Sequence, residues 1–198
     1  MSKESARVNN PYHRPEDKPH FLDRSEARTM CFDIFNIFAA SRELGGEFEM
    51  AEPEEGDSRS SSNFKLHQDL AEIRLSQLLL QLAVFVRTFD DVFSSGEHAE
   101  AYSKHATTTQ GENLIGTLNG GDLRLREACN KIIHTTDFRP VYDYTEREDK
   151  SGQQQRAWYL TGEIELTGVL HGKSWEATLN TPNFLEVVLD RIAFESVT

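Results

Sequence analysis

The sequence predicts a mainly α fold: an antiparallel helical bundle with a β-hairpin inserted before the last helix. Three observations lead there. Apolar residues recur at steps of three and four over long stretches between 24 and 93, and again near 125–134 and 184–192. A period of two emerges only late, between 158 and 179. The length of 198 residues suits one domain. That domain is expected over residues 21–198, behind a flexible arm of residues 1–20 broken by Pro11, Pro15 and Pro19.

The elements follow in order. Asp23 and Glu26 have capping-box spacing, and the run after them is helical. Met30, Ile34, Ile37 and Phe38 line one face; Phe32 and Phe35 widen it, which predicts a helix buried on more than one side, stopping at Gly45-Gly46. An acidic, Ser-rich loop is expected at 45–62. The second helix, Phe64 to Phe93, carries Leu66, Leu70, Ile73, Leu78, Leu82, Phe85, Phe89 and Val92 at steps of three to five. At 1.5 Å per residue it would run about 45 Å, the length of a bundle's spine.

A short helix is expected at Glu97–His105, then a polar connection and the segment NLIGTLNGG. Asp122 stands as N-cap of the amphipathic helix LRLREACNKIIH, whose inner side is Leu125, Ala128, Cys129, Ile132 and Ile133. FRPVYDY reads as extended and TEREDKSGQQQ as a charged loop. Trp158, Leu160, Ile164 and Leu166 alternate, as do Trp175, Ala177 and Leu179, with His171-Gly172 suited to a tight turn: a hairpin over 157–180. Thr181-Pro182 is an N-cap followed by Pro, and Leu185, Val188, Leu189 and Ile192 form the core side of the last helix.

Composition narrows the function. A net charge of −12 excludes a general nucleic-acid-binding coat, because attraction to phosphate needs a basic face. It does not exclude a small basic cleft. More than half of that charge sits between 43 and 58, where seven carboxylates meet no Lys or Arg. The longest apolar stretch, Leu78 to Val86, is far shorter than a membrane span, and residues 1–20 lack the apolar run of a signal peptide. The two cysteines, Cys31 and Cys129, fall within apolar helical patterns and read as reduced, buried thiols of a cytoplasmic protein.

Most chemistry-bearing patterns are missing. His13 and His20 lie in the arm, and His98 and His105 are seven apart with no HExxH or CxxC, so no metal site and no cofactor is expected. There is no phosphate loop and no GxSxG. Asp90-Asp91 reads as a solvated helix end. The segment GGDLRLREACNKIIHTTDFRP stands apart, with Arg124, Arg126, Lys131 and Arg139 around His134 in an otherwise acidic chain. Asn130 and His134, four apart, share a helical face. An imidazole beside an amide and a guanidinium can act as a general base with charge stabilisation, or His134 can simply favour the helix C-terminus.

The string LREACNKIIH, late in a helical core, resembles the signature of the HEPN superfamily, helical-bundle domains of prokaryotic defence and toxin–antitoxin systems. Asn130 and His134 match its polar residue and its His. The Arg that precedes the polar residue in the family falls at Cys129 here, and Arg126 is the nearest alternative. The similarity covers residues 21–135 and 181–195, with the hairpin an embellishment. It implies a degenerate, non-catalytic RNA-related or partner-binding module. The alternative it implies is a metal-independent endoribonuclease acting as a homodimer. There His134 is the general base, Arg126 the phosphate ligand and Asn130 a positioning group, with Arg124, Lys131 and Arg139 binding RNA. A further reading is an interaction protein that docks a partner through its hairpin and acidic loop.

Overall fold

The computed structural model describes residues 22–47, 62–95, 97–110, 114–148 and 154–195; the N-terminal arm and most of the acidic loop lie outside the described residues. The elements are α1 (Arg24–Glu47), α2 (Ser62–Phe93), α3 (Ala99–Gln110), β1 (Gly116–Leu118), β2 (Gly121–Asp122), α4 (Leu125–His134), β3 (Asp137–Glu148), β4 (Gln154–Leu170), β5 (Lys173–Asn180) and α5 (Thr181–Ile192). The strands form one antiparallel sheet in the order β2-β1-β5-β4-β3. The fold is therefore α+β, not a mainly α bundle with an inserted hairpin.

The expected hairpin is the centre of that sheet. Lys173 pairs with Leu170 across His171 and Gly172, both at positive φ (50° and 75°), the geometry of a two-residue type I′ turn. β1 and β2 go beyond the expectation, whereas β3 contains the FRPVYDY segment that reads as extended. Asn119 (φ 48°) and Gly120 (φ 82°) make a second such turn, joining β1 to β2, and β1 then pairs with β5 through Gly116 and Leu179. TEREDKSGQQQ is not simply a loop: residues 145–148 and 154–155 continue β3 and β4, with 149–153 outside the described residues.

One face of the sheet is buried by helices and the other is wet. Leu160, Ile164 and Leu166 of β4 and Trp175, Ala177 and Leu179 of β5 point into the core, while Glu163, Glu165 and Thr167 point out. Against the inner face pack Ala27, Met30 and Ile34 of α1, the apolar side of α4, and Phe184, Val187 and Val188 of α5, while Leu75, Leu79 and Leu82 of α2 join the same core from behind, α2 lying on α1 and α4. A bulge in the β3–β4 register falls between Pro140 and Tyr142, and near it the Leu160 N–H donates to the Oγ of buried Ser41 on α1 (2.9 Å). A strand irregularity is thus satisfied from the helix layer.

Several local expectations shift. α1 runs through Gly45-Gly46 to Glu47, and α3 extends through the Thr run to Gln110. The side chain of Asn180, not Thr181, caps α5 by accepting from Asn183 N–H (3.0 Å). Phe32 and Phe35 do not bury a second side of α1; both are exposed. The apolar run on α2 also splits: Leu78, Leu82 and Phe89 are buried, whereas Leu66, Leu70 and Ile73 face outward.

Candidate functional site

α4 is short and strongly amphipathic. Leu125, Ala128, Cys129 and Ile132 are buried, so Arg126, Asn130 and His134 form its outer stripe at steps of four. Arg126 and His134 are exposed and Asn130 is half-buried. Asp122 is not the N-cap, because it belongs to β2; Arg124 takes that position without a side-chain cap, and Gln110 Oε1 from α3 accepts the Leu125 N–H (2.8 Å).

The predicted site residues do not all converge. Arg126 Nη2 is 2.9 Å from Asp91 Oδ1, and Arg87 Nη2 lies 3.7 Å from the other oxygen of that carboxylate. His134 stands two turns from Arg126, about 12 Å along the axis, and its side chain has no hydrogen-bond or ion-pair partner among the described residues. Lys131 is not a free phosphate ligand: its Nζ sits 4.5 Å from the ring centroid of buried Trp175, a cation–π contact. Arg139 is separated from the stripe altogether. Strand alternation turns it to the wet face of β3, where it pairs with Asp137 (2.9 Å) and Glu165 (3.6 Å). Cys129, where the resemblance would want an Arg, is fully buried and leaves no room for a solvated guanidinium.

Arg124 and Arg126 instead meet a different feature, a cleft of about 670 Å³ between the end of α2, α3, β2 and the start of α4. Asp90, Tyr102 and Arg191 also line it. Asp90 is not solvated: it and Arg191 are buried, joined by Arg191 Nη1 to Asp90 Oδ1 at 2.8 Å. The Tyr102 hydroxyl donates to the same carboxylate. Arg191 also donates to Thr109 Oγ1 (3.2 Å) and the Ala106 carbonyl (3.0 Å). Its guanidinium therefore pins α3 between α2 and α5, and Phe89, Phe93, Tyr102 and Phe194 close an aromatic cluster beside it. The trio was legible in principle, since Asp90 and Arg191 are lone charges on otherwise apolar helix faces.

The cysteines are inert by position. Burial pushes the Cys31 thiol up to about 12 and raises Cys129 further. Native protein should therefore leave both thiols unmodified by a thiol-reactive dye over minutes, while denatured protein gives two; a fast-reacting thiol in the native state would contradict this burial. Tyr102 is also raised, first by burial and then by its bond to Asp90. A folded state that keeps these protons is fully stabilised below the unfolded values of about 8.5 to 10 and loses that stability as pH rises past them. Melting temperature should accordingly fall steeply above about pH 9, with Tyr102→Phe reducing the slope.

Among the described residues, no group of three or more His, Cys, Asp or Glu side chains could hold a metal ion. No helix among them is long and apolar enough to cross a membrane. No protein-family model, curated protein or solved structure matches the chain.

Proposed function

We propose that this chain is a binding module for a phosphate-bearing ligand, with RNA the foremost class, rather than a catalyst. The carrying observation is the pairing of Arg124 and Arg126 on the cleft at the N-terminal end of α4. The positive pole of that helix's dipole favours an anion, although Gln110 already caps the Leu125 N–H, and two guanidiniums, that of Arg126 shared with Asp91, add charge-assisted donors. His134, exposed and two turns away from Arg126, supports a contact to ligand more than proton transfer. The link to defence or toxin–antitoxin systems rests on the LREACNKIIH resemblance alone, and the buried thiols suit a reducing, cytoplasmic setting.

The test is fluorescence anisotropy with a labelled single-stranded RNA across a salt series, in EDTA. Binding should weaken as salt rises. The double variant Arg124→Ala/Arg126→Ala should bind at least about tenfold more weakly, each charge-assisted bond contributing roughly 1.5–3 kcal/mol. Undiminished binding by the double variant would overturn the reading. Cleavage of the RNA in EDTA that His134→Ala abolishes would replace it with the endoribonuclease alternative.

A further inference from the structure

The cleft is much larger than a phosphate group. A phosphate takes the space of only a few waters, at about 30 Å³ each, whereas the cleft holds about 670 Å³. That volume lies in the range of small-ligand pockets, roughly 300–1,000 Å³. The side chains beyond the two guanidiniums therefore decide what the phosphate is attached to. One wall is a continuous face of α3, on which Ala99, Tyr102, Ser103, Ala106, Thr107 and Gln110 recur at steps of three and one. The Asp122 carboxylate of β2 lines the same space.

We infer, resting on the phosphate reading of the cleft, that its ligand is a phosphorylated polyol: a sugar-phosphate unit with its phosphate on Arg124 and Arg126 and its hydroxyls against α3 and Asp122. Arg124 is exposed and has no hydrogen-bond or ion-pair partner among the described residues, so it meets an anion without first breaking a bond. The side chains of Ser103 and Asp122 are exposed and unpartnered there too. The Thr107 hydroxyl donates to the Ser103 carbonyl (2.9 Å), which leaves its lone pairs to accept. A carboxylate, an accepting hydroxyl and a free hydroxyl suit a ligand whose own groups both donate and accept, as sugar hydroxyls do. The same lining disfavours a flat apolar group. A nucleobase is held by stacking on an aromatic face, and an acyl chain by aliphatic walls. Here Leu123 and the Tyr102 ring are each 1% exposed, and Tyr102 spends its hydroxyl on Asp90. Leu114 is the one large apolar side chain open to the cleft among the described residues.

Isothermal titration calorimetry on the full chain tests it with inorganic phosphate, ribose 5-phosphate and ribose. Ribose 5-phosphate should bind at least about tenfold more tightly than either of the others, each hydrogen bond to a hydroxyl contributing roughly two- to tenfold. Ser103→Ala/Thr107→Val should bring its advantage over inorganic phosphate down to about threefold or less. Both side chains are exposed, so the fold should be kept; should that variant misfold, Asp122→Ala makes the same comparison. A free sugar phosphate and the 5′-phosphorylated end of an RNA strand share this chemistry. A short RNA with and without its 5′-phosphate, competing against ribose 5-phosphate, separates the two sources. Competition by the phosphorylated strand alone supports the inference and assigns the cleft to strand ends; competition by neither supports it and assigns the cleft to the free sugar phosphate. Equal competition by both strands puts internal phosphates in the cleft and overturns it. Inorganic phosphate binding as tightly as ribose 5-phosphate overturns it while leaving the phosphate reading in place. RNA binding without any binding of ribose 5-phosphate does the same, and no binding of any phosphate removes both.

Discussion

Arg191→Ala should destabilise the protein by about 3–5 kcal/mol, the cost of leaving one member of a buried ion pair without its partner. The substitution strands Asp90, which is 3% exposed, among Phe89, Phe93 and Tyr102, and it also removes donors from Thr109 Oγ1 and the Ala106 carbonyl. In a domain of this size that is a fall in Tm of about 10 °C or more. The comparison that isolates the mechanism is Asp90→Leu/Arg191→Met. Removing both charges together should recover most of the loss, since an apolar pair of similar volume is often neutral or better. Thermal melts of the three proteins decide it. A single variant as stable as wild type would mean that the pair is not held dry. α3 depends on this anchor, so Arg191→Ala should also speed amide exchange across residues 99–110 ahead of the core helices.

Gly116→Ala should be nearly as damaging, for a steric reason. Gly116 opens β1 at φ +146°, and a Cβ built there would lie 2.0 Å from the Thr178 carbonyl oxygen and 3.0 Å from its carbon. Those are backbone atoms of β5, at the register Gly116↔Leu179, and they cannot rotate away. Unfavourable φ contributes about 1–3 kcal/mol and forced displacement a comparable amount. The expected loss is therefore about 3 kcal/mol or more, with exchange protection lost first along β1 and β2. Gly120→Ala is the control: its φ is also positive (+82°), but nothing lies within 4 Å of the added carbon, so it should lose only about 1 kcal/mol. Equal effects would show that conformation, not contact with β5, governs Gly116.

How far the sequence could be read varies with the length and environment of each element. α1, α2, α4 and α5 are legible because ten or more residues repeat a period against one core. β4 and β5 are legible where alternation meets that core. β1 and β2 are three and two residues long, too short for any period to register. Yet Asn119-Gly120 is a strong hairpin signal, hidden by reading the following Gly-Asp as the start of a helix. β3 was shortened for another reason. Beyond Pro140 it leaves the core, and its Thr-Glu-Arg-Glu run has the composition of a loop.

The site shows the same division. The apolar spacing of LREACNKIIH dictates that Arg126, Asn130 and His134 share the outer face of α4, because 3.6 residues per turn allows no other arrangement. Spacing within one helix says nothing about what stands opposite. Only the fold could bring Asp91 to Arg126, Trp175 to Lys131, and Arg139 to the far side of the sheet. Only the fold could set Asp90 and Arg191, a hundred and one residues apart, into one buried pair. It also decided which of the two apolar faces of α2 the core would take. α2 packs on the helix layer of α1 and α4, and that layer can bury a single side. The sequence by itself determined that both faces would be apolar; the tertiary structure determined which one was left over.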